Sequence, residues 1–325
     1  MNYELYNNWN DRGDLMIRTL IITIFTLSLG LICTHSEVVA QEGTTLTDIT
    51  GYEHTVRKPP TRIVSLIPSN TELLFAVGAG KAVVGVTDYC NYPPEVKEIE
   101  KIGDLMTLSV ESIVALKPDL VLATGDNPDE PIRSLRELGL NVFVIDPQTV
   151  EGVIEALKTV GIITGYRAQA LDLVQDIKSR ISVLNKKLGA LPADRCPTVF
   201  VGSPQRTENW TPGPGTFTTD VIQRAGGRNI ADDLKSGTWG VYSLEKIVAK
   251  NPEVILSTVR EAQDIEKSIQ SLITLAKGMS GWKNIRAIQN GRVVLLPDDW
   301  LLRPAPRMIK AMEQLAQMLH PKLFQ

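Results

Sequence analysis

Apolar residues in the first half of the chain fall into short runs separated by segments with helical spacing. The runs at 62–66, 82–86, 120–123 and 142–145 are rich in branched side chains and predict buried strands. Strands that alternate with helices in this way predict a parallel sheet covered by helices. Before them, the pattern from 45 to 60 indicates a β-hairpin.

A long amphipathic segment without proline follows at 168–191, with apolar residues recurring every three or four positions. At about 1.5 Å per residue this helix would extend roughly 35 Å, so it could connect two lobes as a stiff rod. Beyond it, runs at 198–201, 254–257 and 292–296 predict the strands of a second lobe, and 305–319 predicts a closing helix.

These patterns predict an α/β protein of two Rossmann-like lobes with parallel sheets, joined by one long rigid helix. The predicted segments are a leader at 1–40, an N-terminal lobe at 41–165, the connecting helix at 166–192 and a C-terminal lobe at 193–325. Two lobes imply a cleft between them, where a ligand would bind without large hinge closure.

One αβ unit is present twice. The stretch 109–122 returns as 243–256, at a constant offset of 134 positions. In each copy a serine is placed to cap a short helix, a glutamate stands in its first turn, and a proline ends it before a buried strand. The spacing is too long for a solenoid repeat and suits two similar lobes. Glu111 and Glu245 would then occupy equivalent surface points.

Local signals mark the first helix after the hairpin. Ser69 followed by Glu72 fits a capping box at its start. The glycine-containing stretch 78–81 is too short for a phosphate loop, so it is interpreted as the end of that helix.

Length and composition narrow the class of protein. A chain of 325 residues with 43% hydrophobic content suits two globular domains with ordinary cores. A formal net charge of −3 and the lack of a basic tract with aromatics argue against a nucleic-acid partner. Cys90 and Cys196 fall in different predicted lobes, so two free packed thiols are favoured over a disulfide.

The leader has the pattern of a signal peptide. Residues 20–32 are apolar, and 38–40 has the small-residue pattern of a cleavage site, so we expect export with Gln41 as the first mature residue. The apolar run is shorter than the roughly 20 residues of a spanning helix, which disfavours a membrane anchor. Translation could begin at Met16, and lipid attachment at Cys33 is disfavoured by the bulky residue before it.

Motifs for catalysis are not found in the sequence. There is no Gly-Lys-Ser/Thr phosphate loop and no serine framed by glycines as a nucleophile. His54 and His320 are far apart and are interpreted as ordinary surface or loop residues, not as ligands. The acid pairs at 232–233 and 298–299 lack a positioned partner and are interpreted as solvated loops or caps. We expect no enzyme, no metal centre and no resident cofactor.

Large aromatic residues in predicted loops favour a binding protein. Tyr89, Trp210, Trp239 and Trp300 all lie near glycine, proline or acidic residues. They offer wide apolar faces with an O–H or N–H group, which suits a large, flat, amide-rich ligand. The alternative for any one of them is a plug at the edge of a lobe. The duplicated glutamates would add a two-point docking surface for a partner's arginines.

An ordered set of motifs resembles the periplasmic cobalamin-binding proteins of ABC importers. The motifs are 62–72, 89–94, the two Glu-x-Ile-Val-Ala-x-x-Pro units, 226–229 and 299–300. The resemblance covers nearly everything from Asp48 to the C-terminus. It implies a class III substrate-binding protein in the periplasm, a monomer that captures cobalamin or a related corrinoid and delivers it to a transmembrane permease.

The resemblance also implies roles for single residues. Glu111 and Glu245 would dock into arginine pockets of the permease. Tyr89, Trp239 and Asp299 would contact the corrinoid, and Trp300, next to Asp299, would extend that site. The complete predicted ligand-binding set is Tyr89, Trp239, Asp299, Trp300 and Trp210.

The chain departs from the family pattern at two aromatic positions. Leu105 stands where a cobalamin binder can carry a tryptophan before the first docking helix, and Thr124 replaces an aromatic residue after the third strand. Both changes remove stacking surface from the predicted site. Trp210 and Phe217 could compensate from the other lobe.

Related siderophore and haem binders share this fold, so they are the nearest alternatives. An anionic siderophore would need several cleft arginines, for which Arg206, Arg260 and Arg303 are candidates. An axial haem ligand would need tyrosine or histidine, and Tyr89 could serve. A secreted α/β enzyme is a remote alternative, because no nucleophile–base pair is apparent.

Overall fold

The computed structural model describes residues 43–189, 191–260 and 265–325. The predicted leader, its cleavage site before Gln41, the alternative start at Met16 and Cys33 lie outside the described residues. Residues Thr44–Gln325 form one compact unit. Within the described ranges, no helix has the length and apolarity needed to cross a bilayer.

The N-terminal lobe consists of a hairpin and a parallel sheet, as the hydrophobic pattern predicts. The hairpin strands are β1 (Thr44–Thr47) and β2 (Glu53–Val56); the sheet strands are β3 (Ile63–Ser65), β4 (Val83–Val86), β5 (Glu100–Lys101), β6 (Leu120–Ala123) and β7 (Val142–Val144). Their order is β5-β4-β3-β6-β7, and each neighbouring pair is parallel. Strands β3, β6 and β7 are buried throughout, as expected for a sheet with helices on both faces.

Helices cover this sheet and lead into the connector. They are α1 (Pro68–Val77), α2 (Val110–Ala115), α3 (Asp129–Glu137), α4 (Val150–Thr164) and the connecting helix α5 (Arg167–Leu188). Helix α1 ends at Gly78 in a left-handed conformation, which confirms the predicted helix end. The buried residues of α5 recur at helical spacing, so its apolar stripe fixes it against the lobes.

The C-terminal lobe has a second parallel sheet and a separate two-stranded ribbon. Its strands are β8 (Thr198–Val201), β9 (Trp210–Pro212), β10 (Arg228–Asn229), β11 (Trp239–Val241), β12 (Val254–Val259) and β13 (Val293–Pro297). The parallel sheet has the order β10-β8-β12-β13, whereas β9 and β11 pair antiparallel. The helices are α6 (Phe217–Arg224), α7 (Leu244–Lys250), α8 (Ile265–Gly278), α9 (Arg286–Gln289), α10 (Asp298–Leu301) and α11 (Met308–Leu319).

The connecting helix shares a hydrophobic core with both lobes. It packs on α1 and α4 from one lobe and on α11 from the other. Leu73, Ile177 and Met312, from α1, α5 and α11, belong to one cluster of buried side chains. Arg180 in α5 also binds Glu313 in α11 through two hydrogen bonds of 2.9 and 2.6 Å. The structure therefore confirms two parallel-sheet lobes held on one long helix.

The duplicated unit folds the same way in both lobes. The hydroxyl of Ser109 accepts a hydrogen bond from the backbone N–H three residues later, and that of Ser243 does the same. The residue before the proline is left-handed in each copy, with φ of 48° at Lys117 and 44° at Asn251. The predicted caps and helix ends are thus confirmed, and each short helix turns sharply into its strand.

A carboxylate after each proline ties the unit to the neighbouring strand. The Asp119 carboxylate accepts hydrogen bonds from the backbone N–H groups of Thr61 and Arg62, just before β3. The Glu253 carboxylate accepts from the N–H of Thr198 at the start of β8. Burial opposes ionisation of both acids, but these hydrogen bonds hold their pKa values below the ordinary ones.

Two local predictions are wrong. Helix α1 begins at Pro68 without a side-chain cap, and Ser69 and Glu72 are buried, so they form no capping box. Two arginines of the other lobe bind the Glu72 carboxylate instead. The predicted loops around Trp210 and Trp239 contain the β9–β11 ribbon, because paired backbone hydrogen bonds form there despite the neighbouring glycines and prolines.

Candidate ligand-binding cleft

A cavity of about 430 Å³ lies between the two lobes. One wall is formed by the segments that follow β3, β4, β6 and β7; the other is formed by the start of α6, the β11 segment and residues 302–304. This cavity lies at the carboxyl ends of parallel strands, which is where ligands of α/β sheets typically bind. The volume is within the range of about 300–1,000 Å³ typical of small-molecule sites.

Two of the predicted ligand residues line this cavity from different lobes. Tyr89 follows β4 and is 52% exposed, and Trp239 begins β11 and is 38% exposed. Such exposure of large aromatic side chains inside a concave site leaves apolar surface that a ligand can cover. Phe217 also lines the cavity but is only 6% exposed, so little of its side chain is available to a ligand.

Trp210 lies on the ribbon and not in the cavity lining. In the β9–β11 register Trp239 is opposite Pro212 and Val241 is opposite Trp210. Residues opposite each other project from the same face, so Trp239, Val241 and Trp210 share one face of the ribbon. Val241 and Trp210 are 46% and 51% exposed. The ribbon therefore extends the apolar surface of Trp239 away from the cavity.

Two carboxylates on the N-terminal wall were not singled out from the sequence. Asp126 follows β6 and Asp146 follows β7, and both line the cavity. In the described part of the chain neither has a salt bridge; Asp146 accepts a hydrogen bond from Gln148 at 2.9 Å. Partial burial and the like charge of Asp146 raise the pKa of the Asp126 carboxyl. Their positions directly after neighbouring parallel strands were a signal that could have identified them.

The first turns of two helices complete the polar lining. Pro68 and Ser69 open α1 on one wall, and Thr216 caps α6 on the other. Helix N-termini present backbone N–H donors and a partial positive charge. The cleft thus combines donors at the helix starts with acceptors at Asp126 and Asp146.

A second cavity of about 340 Å³ adjoins the first and shares Tyr89, Leu302 and Arg303 with it. Asp299 lines this second cavity, and its oxygens lie 2.7 Å from Arg303 and 3.4 Å from Arg307. The predicted ligand residue Asp299 is therefore next to the cleft but already paired. The prediction that the 298–299 acid pair is simply solvated is wrong for this residue.

Trp300 is placed away from both cavities. It lies in the short helix α10, not in the predicted loop, and packs against the main hydrophobic core. The ammonium group of Lys310 lies 5.4 Å from the centre of its ring. The two departures from the family pattern, Leu105 and Thr124, do line the main cavity.

The candidate arginines do not form a free cationic cluster. Arg206 is exposed and is not part of the cavity lining, and the side chain of Arg260 is 85% exposed at 3.7 Å from Asp298. Arg303 reaches the cleft, but carboxylates already bind its guanidinium group. Histidines 54 and 320 lie outside the cavity and bind Asn141 and a backbone carbonyl.

The duplicated glutamates are exposed on the surface. Glu111 and Glu245 stand in the first turns of α2 and α7, and neither has a salt bridge among the described residues. Hydrogen bonds from its own backbone N–H and from Ser243 lower the pKa of the Glu245 carboxyl. Val114 and Val248 follow three positions later and are 38% and 37% exposed. Each lobe therefore presents an exposed carboxylate beside an apolar side chain.

Comparisons with known proteins agree with this architecture. The family model described as periplasmic binding protein matches residues 63–300. The uncharacterized ABC transporter substrate-binding lipoprotein YvrC of Bacillus subtilis (strain 168) is 33% identical over 285 residues, 86% of each chain. The vitamin B12-binding protein of Salmonella typhimurium (strain LT2) is 32% identical over 259 residues, 79% of this chain and 90% of that protein.

Among solved structures, the periplasmic haem-binding protein RhuT from Roseiflexus sp. RS-1 has a TM-score of 0.67 at 26% identity, covering 81% of this chain and 98% of that one. The fold, the family match and these relatives confirm the superfamily inferred from the motifs. The chain belongs to the periplasmic binding protein family, whose members are the substrate-binding components of ABC importers.

Proposed function

We propose that this protein is an exported receptor that binds cobalamin or a related corrinoid between its lobes and delivers it to an ABC permease. The observation that carries the proposal is that the exposed aromatic side chains of Tyr89 and Trp239 line the same cavity as the carboxylates of Asp126 and Asp146. A corrinoid is broad and flat and carries many side-chain amides. Its amide N–H groups suit the carboxylates, and its carbonyl oxygens suit the N–H donors of α1 and α6.

The charge of the cleft argues against a strongly anionic ligand. Asp126 and Asp146 are not neutralised by any salt bridge in the described ranges, and the candidate siderophore arginines are exposed or already paired. A ferric siderophore with net negative charge would face repulsion from one wall without a compensating arginine cluster. A neutral ligand rich in amides avoids that cost.

Haem is the second candidate ligand. Tyr89 in the cavity could supply an axial phenolate oxygen, and the structural neighbour RhuT is a haem-binding protein. Against this, the haem propionates would have to avoid Asp126 and Asp146. The relative named for vitamin B12 binding supports the corrinoid.

We further propose that Glu111 and Glu245 dock the receptor onto the permease. Exposed carboxylates at two equivalent points suit bidentate bonds with arginines of a partner. The exposed Val114 and Val248 beside them would pack against apolar permease surface when the arginines bind. We propose that the receptor acts as a periplasmic monomer and does no covalent chemistry on its ligand.

Isothermal titration calorimetry of the mature chain from Gln41 tests the ligand. Cyanocobalamin, haem and a ferric hydroxamate siderophore would be titrated under the same conditions. We expect tight one-to-one binding of cyanocobalamin alone. Binding of only haem or the siderophore would contradict the corrinoid proposal while leaving the docking proposal standing.

A further inference from the structure

A buried network of ion pairs joins the two lobes beside the cleft. Glu72 in α1 is 3% exposed, and Arg307 binds its carboxylate through Nε at 2.8 Å and Nη2 at 2.5 Å. Arg303 binds the same carboxylate at 3.2 Å. Asp299 supplies a second carboxylate to both guanidinium groups. Two arginines and two carboxylates thus lie together, with the Glu72 side chain 2% exposed and those of Arg303, Arg307 and Asp299 between 13% and 19% exposed.

The same arginines hold the segment that carries Tyr89. Arg303 donates to Asn91 Oδ1 at 2.7 Å and lies 3.5 Å from the carbonyl oxygen of Tyr89. The guanidinium of Arg307 lies 4.0 Å from the centre of the Tyr92 ring. The backbone of this segment, in the N-terminal lobe, is therefore fixed by side chains of the C-terminal lobe.

Glu72 determines where these arginines point. Its oxygens receive three of the hydrogen bonds that the guanidinium groups make, and Arg307 binds it in the bidentate geometry that fixes orientation. With an uncharged side chain at this position, the two cations would share only Asp299. Arg303 and Arg307 would then turn toward other acceptors and water, and their contacts to Asn91 and Tyr92 would weaken.

We propose that Glu72 is a positioning residue for the ligand: its buried carboxylate fixes Arg303 and Arg307, which hold Tyr89 in place on the cleft wall. Glu72 is not part of the main cavity lining and acts through the arginines. Because the Tyr89 segment is then already ordered before the ligand binds, no binding free energy is lost to ordering that segment. The effect on ligand affinity rests on the proposed function, whereas the effect on the Tyr89 segment does not.

The test compares Glu72→Gln with Glu313→Gln. Both changes keep the shape of the side chain and remove a carboxylate that binds an arginine in bidentate fashion. In the control pair, however, Arg180 lies on the connecting helix and Glu313 on α11, and neither residue lines the main cavity. Amide hydrogen exchange of residues 88–92 is measured without ligand. The dissociation constant for cyanocobalamin is measured by calorimetry, and thermal stability by circular dichroism.

We expect Glu72→Gln to accelerate exchange at 88–92 and to weaken cyanocobalamin binding, each by at least about tenfold. Glu313→Gln should lower the melting temperature but leave amide exchange at 88–92 and cyanocobalamin affinity unchanged. Unchanged exchange and affinity in Glu72→Gln would overturn the proposal. Equal effects of the two variants would also overturn it, because they would indicate general destabilisation.

A second variant covers the case in which Glu72→Gln fails to fold. Asn91→Ala keeps the buried ion pairs and removes one anchor of the segment, so it should also accelerate exchange at 88–92 and weaken binding. If Asn91→Ala changes neither the exchange at 88–92 nor the affinity for cyanocobalamin, the proposal fails. If the wild-type chain does not bind cyanocobalamin, the proposed function fails while the exchange measurement still decides the role of Glu72.

Discussion

Trp239 joins the ligand cavity to the exposed face of the β9–β11 ribbon. Because it is 38% exposed and lines the cleft, a ligand can cover its ring without displacing core residues. We expect Trp239→Ala to weaken cyanocobalamin binding by about 1–3 kcal/mol, the usual loss for an aromatic contact at the centre of a site. Calorimetric titration measures this change.

Trp210→Ala is the matched control for this prediction. It removes the same kind of side chain from the same ribbon face, outside the cavity lining. Its effect on affinity should be smaller than that of Trp239→Ala. Equal affinity of Trp239→Ala and wild type would show that Trp239 only closes the edge of its lobe.

Asp126 gives the cleft a predicted pH dependence. Partial burial and the charge of Asp146 raise the pKa of the Asp126 carboxyl above its ordinary value. As the pH falls through that raised pKa, the carboxylate is neutralised and becomes a poorer acceptor for ligand amides. We therefore expect cyanocobalamin affinity to fall in mild acid, starting above the pH at which an ordinary aspartate titrates. Titrations over a series of pH values measure this.

The Asp126→Asn variant should lose that pH dependence and bind more weakly at neutral pH. Asp129→Asn, three residues later in the first turn of α3 and outside the cavity lining, is the control and should behave like wild type. An unaltered pH profile in Asp126→Asn would show that another group titrates.

Sequence alone could single out Tyr89 and Trp239 as candidates for the cleft, because large aromatic residues near glycines or prolines stand out locally, and both do line the cavity. It could not identify the role of Glu72, whose partners Arg303 and Arg307 lie 231 and 235 positions later. A local pattern instead suggested a capping box, since serine and glutamate at that spacing are common at helix starts. Buried ion pairs depend on which elements meet, and that information is not local.

At the scale of elements, the duplicated αβ unit was predictable almost in full. The cap, the helix end at the proline and the strand all follow from interactions within 14 or so consecutive residues. The β9–β11 ribbon was not, because its strands are short, and Pro212 and Gly240 lie within them. Its pairing depends on residues almost 30 positions apart.

The duplicated unit carries a prediction about transport. The double variant Glu111→Lys/Glu245→Lys should bind cyanocobalamin as wild type does, because both residues are exposed and outside the cavity. It should abolish uptake through the permease, since the two proposed ion pairs with permease arginines would be replaced by repulsion between like charges. Cobalamin-dependent growth and labelled-ligand uptake in reconstituted vesicles measure transport.

The control is Glu130→Lys/Glu266→Lys. These glutamates are also exposed in the first turns of helices, one in each lobe, so the change in net charge is the same. Transport should persist in the control. Full uptake by the Glu111/Glu245 variant would show that docking uses a different surface.

At the scale of the whole molecule, the connecting helix limits how far the lobes can move. Helix α5 packs on both lobes, the Glu72 network joins them beside the cleft, and Arg180 binds Glu313 at a third place. We expect ligand binding to change the radius of gyration by less than about 1 Å, as in preorganised complexes. Small-angle X-ray scattering with and without cyanocobalamin measures this, and a larger contraction would contradict a rigid connector.

A core that passes without interruption from one lobe through α5 into the other has a further consequence. Neither lobe can unfold alone without exposing apolar side chains of the connecting helix to water. A change that destabilises one lobe therefore also destabilises the other. The protein should therefore unfold in a single cooperative transition, giving one calorimetric peak despite its two sheets. A destabilising substitution in either lobe would lower the melting temperature of the whole receptor.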